Sequence, residues 1–348
     1  MREKLVELLE AVLPTHSPAG VEDEMNRIVL EYLVGCAPQV HHDVHDNIYV
    51  KFEGREPGRS TLVAAHKDEN SLIVRKIDAD GRLWVEPIGG IRPVKYGEGP
   101  FDLITEHGII PGILHMGSTH SSDLSSRIND IKTKLCTWEM VYIHTKMNGE
   151  ELADAGAAVG DRVLVGRSRK APMYLREQYV AGYALDDKAA VAVLLLVASE
   201  LARNAPRHDV YVAITSAEEG GVSGGQFIAR TLEPDDMIAV EVGPVAEEYP
   251  VEMDQRPIVL FKDGSYHYDP VLSRELIAAG KRRGIECQRA VIRSFGSDSS
   301  FAAKEGFVGR AGCICFPTEN THGYEVTPLA ALENCVSALV EHLVNPLF

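Results

Sequence analysis

Apolar positions recur at i, i+3 and i+4 along two stretches near the start of the chain. Lys4 to Leu13 predicts one helix; Glu22 to Leu33, with Met25, Ile28, Val29, Tyr32 and Leu33 on one stripe, predicts a second, and Pro14 to Gly20 is the turn between them. The period then shortens. Asn47 to Phe52 and Ser60 to Ala65 are short runs rich in β-branched residues, bounded by turn clusters such as GREPGRS, and predict strands. Thr61 to Ala65 is apolar at both parities, the pattern of a central strand covered on both faces. From Ser71 to about Val180 the texture changes to short alternating strands (Leu72 to Ile77, Arg82 to Pro87, Arg162 to Gly166) separated by DADG and IGG turns, without a long helix. After Gly182 helices and strands alternate again: helix Asp187 to Ala202, strand Asp209 to Thr215, helix Ser223 to Leu232, strand Met237 to Val242, helix Pro270 to Arg283, strand Cys287 to Ile292, strand Gly312 to Phe316 and a closing helix Pro328 to Val344. Such alternation predicts an α/β sheet sandwiched between helices. The expected organisation is one α/β domain, 1–70 and 179–348, interrupted by a small β-rich, barrel-like insertion at 71–178.

Composition changes this picture little, and charge changes it more. The chain has 348 residues, enough for about two domains, and its 45% hydrophobic and 25% charged content is ordinary for a globular protein. Its 35 basic residues against 51 acidic ones give a net charge of −16. That field repels phosphate backbones and anionic lipid, so neither nucleic acid nor a membrane surface is an expected partner. The longest aliphatic run, Ala189 to Ala198, is too short to cross a bilayer. The N-terminal MREKLVELLEAVLP has no continuous apolar core of the signal-peptide kind, which points to the cytoplasm. The six cysteines form no C-x-x-C pair and read as reduced, mostly buried thiols.

Candidate chemistry gathers where strands of the α/β part end. His66, in AAHKDEN, follows a buried strand, and Asp68 stands two residues on, placed to orient a ligand histidine. Asp186 and Asp187 open the most apolar helix, in YALDDKAAV. Two acids there are costly without a cation. Glu218 and Glu219, in AITSAEEGG, come just past a strand; one binding metal and the other acting as general base would explain the pair. Glu241 sits inside the apolar strand MIAVEVG, where an unpartnered carboxylate is expensive. His322 lies in the loop FPTENTHGYE. Each alone is an ordinary loop or cap; together they recur at strand ends of one inferred sheet, where α/β crevices form. Two histidines and several carboxylates without a thiol suit a pair of Zn²⁺, Mn²⁺ or Co²⁺ ions, with the Asp186–Asp187 corner as the bridge.

The series H-x-D, L-D-D-K, E-E-G-G, V-E-V and T-H-G resembles the cocatalytic dinuclear metallopeptidases, and within them the tetrahedral aminopeptidases, a group that includes glutamyl and deblocking aminopeptidases and members labelled endoglucanases. The SPAGVEDE helix start and the GSDSSFA segment extend the resemblance over most of the chain. It implies a zinc-exopeptidase-like fold and two divalent ions per chain. His66, Asp186 and Glu241 would hold one ion and Asp186, Glu219 and His322 the other, with Asp186 bridging. Glu218 would be the general base acting on the attacking water, Asp68 would orient His66, and the Asp186–Asp187 peptide would be cis. Lys188 and Glu241 depart from the Arg and Asp common in the group, and GGVSGG is looser than its usual form. The insertion falls in the 120-residue step from His66 to Asp186 rather than the 81-residue step from Glu241 to His322, which separates this group from related exopeptidases and N-acyl amino acid deacylases.

The resemblance further implies that the inserted module builds homo-oligomer contacts, in a dimer or a dodecamer, and that one of its loops approaches a neighbour's active site. His120 is a candidate there. Arg293, ahead of the Gly296 to Asp298 turn, is a candidate for favouring acidic first residues of the substrate. The His41, His42 and His45 cluster reads as a solvated strand edge. The expected activity is removal of N-terminal residues from short peptides. The competing readings are a glycoside hydrolase working with paired acids and no metal, a metal-dependent deacylase, and a non-catalytic binding protein, which would have no need of Glu218.

Overall fold

The computed structural model describes residues 1–120, 129 and 134–346. The chain separates into two compact units, one comprising 1–69, 172–321 and 325–348, the other 70–171 with 322–324.

The larger unit is built on an eight-stranded mixed sheet in the order Val40–His42, Ile48–Phe52, Val210–Thr215, Thr61–His66, Asp236–Pro244, Arg310–Thr318, Ile258–Lys262, Gln288–Val291. The middle four strands, from Val210–Thr215 to Arg310–Thr318, are mutually parallel. Antiparallel pairing joins them to Ile48–Phe52 on one side and to Ile258–Lys262 on the other. Thr61–His66 is buried along its whole length because both of its faces are covered. Val63 and Ala65 pack into the core made with helices Arg2–Val12, Asp23–Val34, Leu185–Leu201 and Leu329–Val344. Leu62 and Ala64 point the opposite way, as the two-residue strand period demands, onto Ile228, Ala229 and Ala302 of helices Ser223–Leu232 and Asp298–Lys304. The result is the helix-sandwiched mixed sheet that the alternation predicts. Helix Leu185–Leu201 is apolar all round, with Ala189 to Ala198 buried, as expected of a helix enclosed in a core.

The smaller unit is a closed six-stranded barrel in the order Ser71–Ile77, Arg82–Ile88, Tyr142–His144, Gly108–His115, Gly99–Thr105, Arg162–Val165. Closure comes from Ser71–Ile77 pairing antiparallel with both Arg82–Ile88 and Arg162–Val165. Leu72, Val74, Leu83, Val85, Phe101, Leu103, Leu114, Ile143 and Val163 are buried within it. The DADG turn needs its glycine: Gly81 has φ +76°, and a Cβ there would lie 1.8 Å from the Met147 carbonyl oxygen. Among the described residues, no helix is long and apolar enough to cross a membrane.

Candidate metal centre

Most of the candidate side chains of the larger unit are delivered by or near the ends of elements that their own sequence dictates. His66 is the last residue of a strand whose earlier positions are apolar or small. Val210–Thr215 runs parallel beside it, and its exit places Glu218 and Glu219. Glu241 lies within Asp236–Pro244, on the other flank of Thr61–His66. These are neighbouring parallel strands, so the side chains gather at their carboxyl ends, where an open α/β sheet forms its crevice. Asp186 and Asp187 precede the regular part of their helix, with φ/ψ of −76°/103° and −121°/25°, and the peptide between them is cis, as the resemblance implies.

Ligand atoms of His66, Asp187 and Glu241 lie within 4.8 Å of one another, and all three residues are buried. His66 Nε2 stands 3.2 Å from Asp186 Oδ1 and 3.9 Å from Glu218 Oε2, so both acids of the Asp186–Asp187 pair reach the neighbourhood of this ring. On the ring's other side, Nδ1 is 3.1 Å from the Asp68 carbonyl oxygen and 3.4 Å from Asp68 Oδ1. The Asp68 carboxylate is also engaged elsewhere: its two oxygens accept the Glu218 and Glu219 amides at 2.8 and 3.0 Å. Asp187 Oδ2 accepts the His66 amide at 3.3 Å, while the buried Asp187 Oδ1 has no hydrogen-bond partner among the described residues. Of the second donor set that the resemblance implies, Asp186 and Glu219 belong to the larger unit and His322 to the smaller.

The electrostatics of the first set call for a cation. Burial pushes the Asp187, Glu218 and Glu241 carboxyls well above the usual carboxylate range. His66 opposes the shift in each, and the neighbouring acids add to it. His66 shows the complement: burial lowers its basicity, but Asp186 and Asp68 outweigh burial and hold it well above an ordinary histidine. Packed carboxylates around a buried imidazole, one of them carrying an unpartnered oxygen, form a donor set that a divalent ion fits, because the ion removes both the mutual repulsion and the orphaned acceptor.

The family profile described as M42 glutamyl aminopeptidase matches residues 46–338. The chain belongs to this family. Among curated relatives, the lysyl aminopeptidase of Pyrococcus furiosus is 26% identical over 238 residues, covering 68% of this chain and 66% of its own. A TET aminopeptidase structure from Thaumarchaeota archaeon SCGC AB-539-E09 superposes with a TM-score of 0.90 at 23% identity, covering 99% of this chain and 96% of that one. The Pyrococcus horikoshii TET1 peptidase, described as assembling into a tetrahedron or a large octahedral shell, superposes at 0.87 with 23% identity, covering 98% and 99%. At these identities the superpositions speak for the shared fold.

Other residues singled out in this M42 chain are placed as follows. His322 belongs to the short stretch 322–324 that goes with the smaller unit, where its Nδ1 lies 3.1 Å from the Gly90 carbonyl oxygen. His120 is exposed in the smaller unit, with its amide on Ser118 Oγ. Arg293 is exposed, and its amide donates to the Tyr249 hydroxyl at 3.3 Å. Three residues have surroundings that sequence reasoning did not foresee. Asp187 reads in the sequence as half of an acidic corner, yet it is the member grouped with His66 and Glu241. Glu325 Oε2 accepts the Asp186 amide at 3.0 Å. Lys188 is fully buried, with Nζ 2.8 Å from Glu69 Oε1; a lysine in an otherwise apolar helix interior was the available signal.

Proposed function

We propose that this protein is a metal-dependent aminopeptidase that removes N-terminal residues from short peptides, with Glu218 as general base. Membership of the M42 family supports the aminopeptidase activity. The observation that carries the metal reading is the buried convergence of His66, Asp187 and Glu241, with Glu218 Oε2 3.9 Å from the same imidazole. His66, Asp186 and Glu241 are proposed to hold one divalent ion, with Asp187 alongside, and Asp186, Glu219 and His322 a second. Zn²⁺, Co²⁺ and Mn²⁺ all suit these nitrogen and oxygen donors. When bound, such ions polarise a scissile carbonyl and acidify water.

The chain's own groups do the rest. Glu218, held high in pKa by burial, takes a proton from the attacking water and returns it to the leaving amine. Asp68 fixes the Glu218 backbone, and neighbouring acids hold the substrate's α-ammonium. A glycosidase would use two of these carboxylates and leave His66 without a role. The inserted module at 71–178 is proposed to build homo-oligomer contacts, in keeping with the assemblies described for the Pyrococcus horikoshii relative.

The test combines elemental analysis with aminoacyl chromogenic substrates. Chelation should abolish hydrolysis, and added Zn²⁺, Co²⁺ or Mn²⁺ should restore it. Glu218→Gln should keep its metal content and lose roughly 10²- to 10⁴-fold in kcat. Full turnover by Glu218→Gln would remove Glu218 from the proposed role.

A further inference from the structure

We propose that Glu22 and Asn47 are positioning residues that, with Asp68, aim the Glu218 carboxylate. The inference rests on Glu218 being the base. Beyond strand Val210–Thr215 the chain presents four successive amide N–H groups, and every one is received by a side-chain oxygen. Ser216 donates to Asn47 Oδ1 at 3.1 Å, Ala217 to Glu22 Oε1 at 3.1 Å, Glu218 to Asp68 Oδ1 at 2.8 Å and Glu219 to Asp68 Oδ2 at 3.0 Å. All three acceptor residues are buried. A backbone run whose donors all point at side chains belongs to neither helix nor strand, so the side chains set its path.

That path is not one the segment would choose. Ala217 sits at φ +50°, in the left-handed region that a residue with a Cβ disfavours by about 1 kcal/mol or more. Such a conformation persists when its surroundings over-determine it. Each acceptor is itself fixed. Asn47 Nδ2 donates to Asp43 Oδ2 at 2.8 Å and to the Gly224 carbonyl at 3.2 Å, which settles its amide orientation and leaves Oδ1 for Ser216. Glu22 Oε2 is 2.9 Å from Lys67 Nζ, a fully buried ammonium that also reaches Asp46 Oδ2 at 2.6 Å and Asn26 Oδ1. On the strand side, the Thr215 hydroxyl lies 2.6 Å from Asp298 Oδ2 and 3.1 Å from the Ala65 carbonyl.

Positions 22, 47 and 68 are remote in sequence from 216–219, and neither Glu22 nor Asn47 is among the candidate metal donors. Their convergence on the loop that carries the base assigns them to its aim. A base displaced by about 1 Å loses roughly 10²-fold in rate without any change in the groups that bind substrate.

The experiment uses the full-length, metal-loaded protein. Glu22→Ala, Asn47→Ala and the double variant Glu22→Gln/Lys67→Met are compared by kcat and KM, bound metal, and hydrogen exchange of the 216–219 amides. The double variant keeps an acceptor for the Ala217 amide while removing the buried Glu22–Lys67 ion pair; Asp46, which also loses Lys67, is more than a third exposed and keeps Asn26 and His42 as partners. We expect both alanine variants to lose roughly 10- to 100-fold in kcat, with KM and bound metal unchanged and faster exchange at 216–219. The double variant should return kcat to near wild type and, since it removes the buried charge, keeps the test open if Glu22→Ala does not fold. Faster exchange with unchanged kcat overturns the proposal, as does a kcat loss that only tracks lost metal. Glu218→Gln is run alongside. If it stays active, the general-base reading fails; if it is inactive while both alanine variants keep full kcat, only the positioning role fails.

Discussion

Replacing Glu241 by Gln should stabilise this protein without metal and destabilise it with metal. The substitution keeps the side chain's shape and one acceptor oxygen and deletes the charge. In the metal-free protein, ligand oxygens of Asp187 and Glu241 lie within 4.8 Å of each other, and both residues are buried. Two carboxylates at that separation repel by about 3.5 kcal/mol at an effective dielectric constant of about 20. The native state therefore holds protons that the unfolded chain has already released: burial, then the neighbouring acids, raise the Asp187 and Glu241 carboxyls well above their unfolded values. Wherever the native state binds more protons, stability falls as pH rises, so metal-free stability should decline from about pH 4.5 upward. His66, also raised, works in the same direction. The Glu241→Gln substitution removes one of these protons from the balance, and the metal-free variant should exceed metal-free wild type by up to about 3 kcal/mol at pH 8. Bound ions reverse the order. At a free metal concentration 1,000 times Kd they add about 4 kcal/mol to wild type, and the variant, one donor short, gains less. Urea unfolding with and without chelator, at pH 5 and pH 8, measures all of this. Circular dichroism at 222 nm is the appropriate probe, because both tryptophans, Trp84 and Trp138, lie in the smaller unit. A metal-free Glu241→Gln protein no more stable than metal-free wild type would refute the reasoning.

Two further outcomes rest on buried groups outside the candidate donor sets. Lys188→Met should cost about 3–5 kcal/mol in urea unfolding at pH 7, because Glu69 loses its buried ammonium partner, and adding Glu69→Gln should recover most of the loss; a cost below about 1 kcal/mol would show that the pair is solvated. Burial brings His342 down to about 4, so the unfolded chain binds a proton below pH 6.5 that the native state refuses, and stability should fall between pH 6.5 and 4 by up to about 3 kcal/mol. His342→Gln should flatten that slope, and parallel wild-type and variant curves would exclude His342 as its source.

What could be read from the sequence is what neighbouring residues enforce on one another. Thr61 to His66 announces a central strand because both of its faces must be covered, and the polar residues that follow mark where the crevice opens. Glu241 stands out as a carboxylate in an apolar strand. Ile258–Lys262 escapes such a reading: a run this short between Pro257 and Asp263 has too few residues to declare a period, and its antiparallel pairing with Arg310–Thr318 comes from tertiary context. In the barrel, Gly99–Thr105 and Gly108–His115 contain Pro100 and Pro111, which argue against strands when read locally. Neither could the sequence say that both acids of the Asp186–Asp187 pair reach the His66 ring, since that depends on φ/ψ values no helical periodicity encodes. The H-x-D spacing assigns Asp68 to orienting His66, yet its carboxylate oxygens also accept the Glu218 and Glu219 amides, partners 150 and 151 residues away.

The net charge of −16 gains a different meaning once the acids are sorted by what faces them. A buried carboxylate must be paired, protonated or bound to a cation. Buried Glu22 shares Lys67 with the more exposed Asp46, and buried Glu69 has Lys188; each of these fully buried lysines directly follows a site residue, His66 or Asp187. Asp68 is met by two backbone amides. Asp187 and Glu241, by contrast, face the His66 ring and each other. The chain thus supplies lysines to Glu22 and Glu69 and backbone amides to Asp68, and leaves Asp187 and Glu241 to a single imidazole. A site built only for rigidity would gain from a third lysine, or from an apolar side chain in place of Glu241. Keeping a glutamate there makes sense if the missing positive charge comes from solution, which is why the stability of the Glu241→Gln protein, relative to wild type, should change sign when metal is added.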